Sequence, residues 1–490
     1  MKNTIAMKNR IYQLKNMILT SGMLLLLNIS CVDLTEEPLD FPSPDNFYNS
    51  ESQIVAAFTA AMGRLYNPWT AFSYGWGAFS GTDQLWGGDL VLSVGHGNDF
   101  WNAHYRSIGD LNPAIKALNE DRLGNSVSQD VKNQLMAQGR FIRAFNYFHL
   151  VRLYGDVPLI TDETDVIKDE ITRAPTDAVY DFIEEELLFA AEHLPDTWGD
   201  FPGRPNAGAA KGLLAKVYIT RATAPLNEAS YYQNARDMAA DVMDDGIYSL
   251  VPDINQVFEL SNEYGPEMMW SFNATDDDRA TEPQIWLPGT MANGWGDFKA
   301  NRTWGEAYPE QPRKSAYLLL EDWEGTSWEE WNATTTPHIK KYIYSGREDA
   351  EKFKSTQNVP ILRYADVLLL FAEAENMVNG GPTQAAVDAV NMIIDRSNDY
   401  VDNPNHPRLT TAMSQAEFDA AVIQERNLEL CFEYDRWHDL VRKRILCDVV
   451  NDDVKPNCDE NDYLWPIPIT DLRLNPQLTQ NPGYAIPEPE

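Results

Sequence analysis

QGRFIRAFNYFHLVRLYGDVPLI, residues 138–160, has almost no polar face when wound into a helix at about 100° per residue. Phe141, Phe145 and Phe148 fall on one side, and Leu150, Leu153 and Tyr154 fall nearly opposite. Only narrow gaps carry Arg140, Arg143, Asn146, His149 and Arg152. A helix that is apolar nearly all round is packed on both sides, so this one is central. Gly155 offers a left-handed position after the last turn and Pro158 forbids resumption, which ends the helix at Tyr154. Its arginines read as ion-pair partners rather than catalytic groups. The stretch is scaffold.

The N-terminus is different in kind. Lys2, Lys8, Arg10 and Lys15 precede an apolar run from Met17 to Ile29 that ends in Ser30 and Cys31. That is a secretory signal, too short for a bilayer span of about 20 residues. A cysteine directly after a small residue points to lipoprotein processing, with Cys31 acylated, although Asn28 stands where such signals usually carry Leu. The acidic, proline-rich CVDLTEEPLDFPSPDNF that follows reads as a tether. A formal net charge of −35, from 74 acidic and 39 basic residues, repels nucleic acid and excludes it as a partner. The same charge disfavours a polyanionic glycan, more weakly. With Cys31 acylated, Cys431 sits in a helical pattern as a buried thiol. Cys447 and Cys458 flank a polar loop and either form a disulfide in an oxidising space or stay free.

Helix pairs recur along the body. An amphipathic helix covers 50–66, another 101–119, and another 176–194, stopped by Pro195. Residues 207–222 pair with 230–246, and 363–381 pair with 383–397. Small residues at helical spacing and Gly-rich turns after each pair resemble tetratricopeptide hairpins without their strict period of about 34 residues. A single helix is expected over 416–443, burying Ile423, Asn427, Leu430, Tyr434, Trp437 and Val441. The fold class is therefore mostly α: an α-solenoid of tetratricopeptide-like hairpins with a long, irregular, loop-rich insert. The organisation is a signal over 1–30, a tether over 31–49 and one domain over 50–490. Its helical scaffold covers 50–66, 101–246 and 363–443, and its loop-rich regions cover 67–100 and 247–362. An extended, proline-rich segment over 460–490 lies along the solenoid. Seven tryptophans between Trp270 and Trp331 argue that the insert is ordered.

The sequence RAFNYFHLVRLYGDVPL resembles the hallmark helix of the SusD/RagB family, surface glycan-binding lipoproteins of Bacteroidetes-type bacteria. Other segments resemble the same family: CVDLTEEPLDFPSPDNF with the helix after it, WNAHYRSIGDLN, GRPNAGAAKGLLAKVYI, QERNLELCFEYDRWHDLVR and PIPITDLRLNPQLTQNPGY. Pro205–Asn206 and Tyr434–Asp435 depart from the family pattern, the latter where Gly is common. The resemblance covers nearly the whole mature chain and implies a cell-surface protein held at the outer membrane by a lipid on Cys31. It further implies capture of extracellular glycan, a neutral polysaccharide being favoured by the charge, and delivery to a SusC-like TonB-dependent transporter.

Catalytic signatures are missing: the chain has no G-x-S-x-G, H-E-x-x-H or P-loop. No cofactor or metal is expected. Asp276–Asp277–Asp278 lacks the Gly and distal Glu of a calcium loop and reads as a solvated turn. What stands out is aromatic residues in loops, because a flat ring covers the apolar C–H face of a sugar. Neighbouring Asp83, Gln84, Asn102 and Asn293 supply groups that bond hydroxyls. In the resembled family, glycan is held by aromatics from the loop after the first helix and from the mid-chain insert. That implies Tyr74, Trp76, Trp86, Trp286, Trp295 and Trp304, with Asp83 beside them. A secreted helical glycoside hydrolase or a tetratricopeptide-like interaction scaffold are the rival readings. Cys31→Ala is expected to release the protein from outer membrane that lacks the transporter, measured by sedimentation. A variant that still sediments contradicts lipid anchoring.

Overall fold

The computed structural model describes residues 47–70, 81–85, 94–166, 170–275, 281–331, 336–450 and 458–485. From Tyr48 onward they belong to one compact unit. Helices α1 (Glu51–Thr70), α2 (Val94–Asn119), α3 (Gln129–Tyr154), α4 (Thr176–His193), α5 (Ala207–Ala222) and α6 (Tyr231–Asp244) follow one another along the chain. After the insert come α10 (Tyr364–Asn379), α11 (Gln384–Ser397), α12 (Gln415–Glu429) and α13 (Arg436–Arg442). Sequential neighbours pack together, and α10 closes the stack by packing on α5, α6, α11 and α12. This is a mostly helical fold, and among the described residues no helix is long and apolar enough to cross a membrane.

The central helix behaves as its composition demands. It starts nine residues before Gln138, where Ser128 accepts a hydrogen bond from the Val131 amide at 3.3 Å. It stops where Gly155 adopts a positive φ of 70°. From Leu135 to Tyr154 every residue but Arg140 is buried. Gly139 sets the distance to α1: a Cβ there would lie 2.7 Å from the ring of Phe58. Arg143 pairs with Glu186 at 2.7 Å and Asp162 at 2.8 Å, the structural use expected of it. The C-terminal segment caps this helix. Trp465 donates its amide to Leu153 at 2.6 Å, and Asn481 Nδ2 donates to the Tyr154 carbonyl at 2.9 Å. A 3-10 turn (Glu460–Tyr463) and a short helix, α15 (Ile469–Leu474), lie within the described part of that segment.

The expected single helix over 416–443 is instead two, α12 and α13, and the reason is local. Phe432 and Tyr434 take positive φ of 62° and 75°, which a helix does not permit. Tertiary contacts hold them there. Tyr434 Oη donates to the Trp69 carbonyl at 2.6 Å, and Tyr342 Oη donates to the Phe432 carbonyl at 2.5 Å. Cys431 lies in the break, buried, and burial pushes its thiol pKa up to about 11. Cys447, on α14 (Leu446–Val450), is bonded to Cys458.

The insert is tied to the helices by charge. It contains α7 (Arg302–Ala307), α8 (Pro312–Tyr317) and α9 (Arg347–Glu351), with β2 (Leu318–Leu319) pairing β3 (His338–Ile339). Strands β1 (Met268–Phe272) and β4 (Val359–Arg363) pair antiparallel at its base. Arg313, Lys341 and Arg363 reach from it to Glu425, Glu429 and Glu433 around the end of α12. Arg396 of α11 joins Glu429 at 2.7 Å and Glu267 at 2.6 Å. All eight side chains are buried, and four cations face four carboxylates, with His406 donating to Glu425 at the edge. Burial alone would raise the pKa of Glu429. Arg396, Arg363, Arg313 and Lys341 outweigh it and hold that carboxyl well below the usual carboxylate range.

A carboxyl depressed in the folded state stabilises the fold above its unfolded pKa of about 4.3, and that stability is lost as pH falls below it. Thermal melts of the wild type should therefore drop steeply as pH falls below about 4. Glu429→Gln removes the one carboxylate that three buried arginines share and leaves the cluster with an uncompensated positive charge, so it should cost about 3–5 kcal/mol at pH 7. It should also flatten the acid limb, because the proton that the wild type must take up there is no longer required. An unchanged acid limb in the variant contradicts this assignment.

Candidate glycan-facing surface

Two loops far apart in sequence lie side by side because α12 ends between them. Gln84 is buried and donates through Nε2 to the Asn427 carbonyl at 3.0 Å and to Asn427 Oδ1 at 2.7 Å. Its Oε1 accepts from the Phe432 amide at 3.2 Å. The same Asn427 Oδ1 accepts from Trp304 Nε1 at 3.3 Å. Leu85 pairs with Ala300 across an isolated β-bridge, and the Asn301 amide donates to the Gln84 carbonyl at 2.6 Å. Asp83 takes both Nε and Nη2 of Arg436 at 2.8 Å, a bidentate pair that fixes the 81–85 segment to α13. Asp83 and Gln84 thus position the surface, with their polar atoms already engaged.

The implied aromatics separate into two classes. Trp286 is 5 % exposed, packed between Phe298 and Tyr342 at 5.2 and 4.6 Å between ring centroids. Trp304 is 9 % exposed and meets Tyr308 and Phe432 edge-on. Neither offers a ring face to a sugar, so both are corrected from glycan contacts to core. An aromatic in a loop of this length anchors that loop as readily as it faces a ligand, and burial alone tells the two apart. Trp295 is the exception at 50 % exposed. Tyr74, Trp76, Trp86, Asp276–Asp278 and Cys31 lie outside the described residues.

Trp295 is exposed on a fixed backbone. Its amide donates to the Gln284 carbonyl at 2.8 Å, and the Phe298 amide donates to Ile285 at 3.0 Å. Ala292, Asn293 and Gly296 all take positive φ, and a Cβ at Gly294 would fall 2.2 Å from the Leu287 carbonyl oxygen. Gln284 is itself buried and donates to the Ala350 carbonyl. Beneath the loop, His338 Nδ1 sits 2.9 Å from the Trp286 carbonyl, and burial lowers the imidazole pKa to about 4, so it is neutral and Nδ1 donates. Asn293 is exposed beside Trp295, and half-buried Asp297 has its pKa raised by burial against the pull of Lys299. An indole flanked by an amide and a carboxyl, on backbone that cannot rearrange, suits a sugar ring and its hydroxyls.

Among the exposed aromatics not singled out in sequence are Phe201 at 63 % and Tyr264 at 53 %. Both line a cavity of about 320 Å³ against α1. The signal was DTWGDFPGRP, an aromatic pair inside a Gly/Pro turn, outweighed by the denser clusters elsewhere. A further cavity of about 430 Å³ lies between the end of α3, α13 and the C-terminal segment. Its arginines are engaged: Arg442 on Glu373, Arg444 on Glu460, and Arg173 on the carbonyls of Tyr154, Asp156 and Thr479. Among the described residues no group of three or more His, Cys, Asp or Glu is arranged to hold a metal.

Comparison with known proteins agrees with this architecture. Residues 269–484 match a family model described as SusD family, and residues 83–219 match one described as starch-binding associating with outer membrane. SusD-like protein P2 of Formosa agariphila is 28 % identical over 96 % of this chain and 100 % of its own. A SusD superfamily protein from Parabacteroides distasonis superposes with a TM-score of 0.77 at 26 % identity, over 88 % of this chain and 99 % of that one. Surface glycan-binding protein A from Bacteroides fluxus superposes with a TM-score of 0.74 at 22 % identity, over 89 % and 100 %. The matches span the helical scaffold and the insert alike, and the chain belongs to the SusD/RagB family.

Proposed function

We propose that this protein captures extracellular glycan at the surface built by the 81–85 and 281–305 segments and passes it to a SusC-like TonB-dependent transporter. The observation that carries the reading is Trp295, half-exposed on a backbone held rigid by Gln284 and the Gly294–Gly296 turn. Membership of the family supports it, as does the likeness to a protein named for surface glycan binding. In this reading a lipid on Cys31 holds the chain to the outside of the outer membrane, and a neutral polysaccharide suits its charge. The chain binds and releases sugar without cleaving it, so a polysaccharide panel incubated with the protein should yield no new reducing ends.

Trp295→Ala should weaken glycan binding about fivefold, the worth of one stacking aromatic, while leaving the melting temperature nearly unchanged. Trp286→Ala should behave in the opposite way, costing about 3–5 kcal/mol of stability through its cavity. Titrations beside thermal melts measure both. Unaltered binding in Trp295→Ala removes the platform. Purification from native membrane in mild detergent should bring down a β-barrel partner; repeated recovery of the free monomer from induced cells contradicts delivery to a transporter.

A further inference from the structure

The cavity of about 320 Å³ beside α1 is lined by a guanidinium, that of Arg204, with no direct ion pair among the described residues. The fold buries nine arginines among the described residues: 143, 152, 221, 313, 363, 396, 426, 436 and 442. Each has a carboxylate oxygen within 3.9 Å. Arg204, half-buried on the cavity wall, makes no such direct pair among the described residues; exposed Glu51 attracts it only from a distance, and burial, the larger effect, lowers its pKa. Its Nε donates to Gln138 Oε1 at 2.9 Å, and its Nη2 donates to the same oxygen. The guanidinium lies 3.5 Å over the ring of Trp198, which fixes its plane. Nη1 is left without a partner among the described residues.

The surroundings of Arg204 are built rather than loose. Gly203 presses so closely on Asn273 that a Cβ there would fall 2.1 Å from Nδ2. Asn273 Nδ2 donates to the Gly203 carbonyl at 3.3 Å, and its Oδ1 accepts from Tyr264 Oη at 3.1 Å. One asparagine therefore holds the Phe201–Arg204 turn and Tyr264 in fixed relation. Phe201 and Tyr264 are both more than half exposed and both line the same cavity. Apolar ring faces next to a guanidinium with unused donors complement one ligand class well, a sugar ring that carries an anion.

Resting on the glycan-capture reading, we propose that this cavity is a second carbohydrate subsite that recognises an acidic sugar residue. Phe201 and Tyr264 cover the ring and Arg204 takes the carboxylate or sulfate oxygens. The net charge of −35 opposes a uniformly charged polymer at long range. It does not oppose an isolated acidic unit in an otherwise neutral chain, because an arginine–anion contact is short-range and partly dehydrated.

The test uses the full protein and matched probes. Glucuronoxylan fragments and oligogalacturonides are titrated beside the same molecules methyl-esterified, and a sulfated galactan oligosaccharide forms a third arm. The wild type should prefer acid over ester by about tenfold, the scale of a charge-assisted hydrogen bond. Arg204→Gln should erase that preference without altering affinity for neutral probes, and Phe201→Ala should weaken acid and ester alike. A preference confined to the sulfated arm and erased by Arg204→Gln supports the same site with a sulfate ester as the anion. Phe201 is exposed, so its variant reports on the subsite even where Arg204→Gln melts early. Equal affinity for acid and ester in the wild type, or a preference that survives Arg204→Gln, overturns the subsite. Neutral binding that depends on Trp295, with no acid preference, overturns the subsite and leaves glycan capture standing; no binding to any probe overturns both.

Discussion

Glu429 is the residue around which this fold is closed. It sits at the end of α12, fully buried, with Arg313, Arg363 and Arg396 on its carboxylate and Lys341 donating to its carbonyl at 2.8 Å. Desolvating so many charges is costly, and their attraction offsets that cost only while every partner is in place. The consequence is coupling. Arg313 and Lys341 come from the insert, Arg363 from the strand that ends it, and Arg396 from the second helix of a hairpin. None of these elements can leave without stranding charge in a dry interior.

The rigidity passes outward through α12. Two residues before Glu429, Asn427 holds both Gln84 and Trp304; just after it, Phe432 and Tyr434 take the strained backbone that ends the helix. The surface loops inherit their positions from the end of a buried helix, which is why an exposed indole at Trp295 stands on fixed backbone. A ligand surface prepared in this way does not have to be ordered when sugar arrives, and that ordering is a large part of what binding costs.

Much of this was legible in sequence, for physical reasons. The central helix, the hairpins at 207–246 and 363–397 and the end at Gly155 follow from periodicity, caps and breakers, all of which act locally. The break at Phe432 and Tyr434 was not legible, because nothing in FEYDRW forbids helix: only contacts with Trp69 and Tyr342, far off in sequence, hold the positive φ values. Trp286, Trp295 and Trp304 look alike in sequence and differ only in burial. Asp83 was read as a hydroxyl partner because the arginine that occupies it lies 353 residues away. Arg204 was invisible for the opposite reason, since the lack of a direct ion pair is a property of the folded surroundings.

The central claim is that the insert is part of the rigid core and presents Trp295 without rearrangement. Native-state hydrogen exchange tests it most directly. The amides of Trp295, Phe298, Asn301 and Tyr364 donate to Gln284, Ile285, Gln84 and Glu267 and so report on the insert and its base. They should exchange only through the same global opening that releases the buried turns of α12. Exchange of these amides through a separate, lower-energy opening, with α12 still protected, contradicts it.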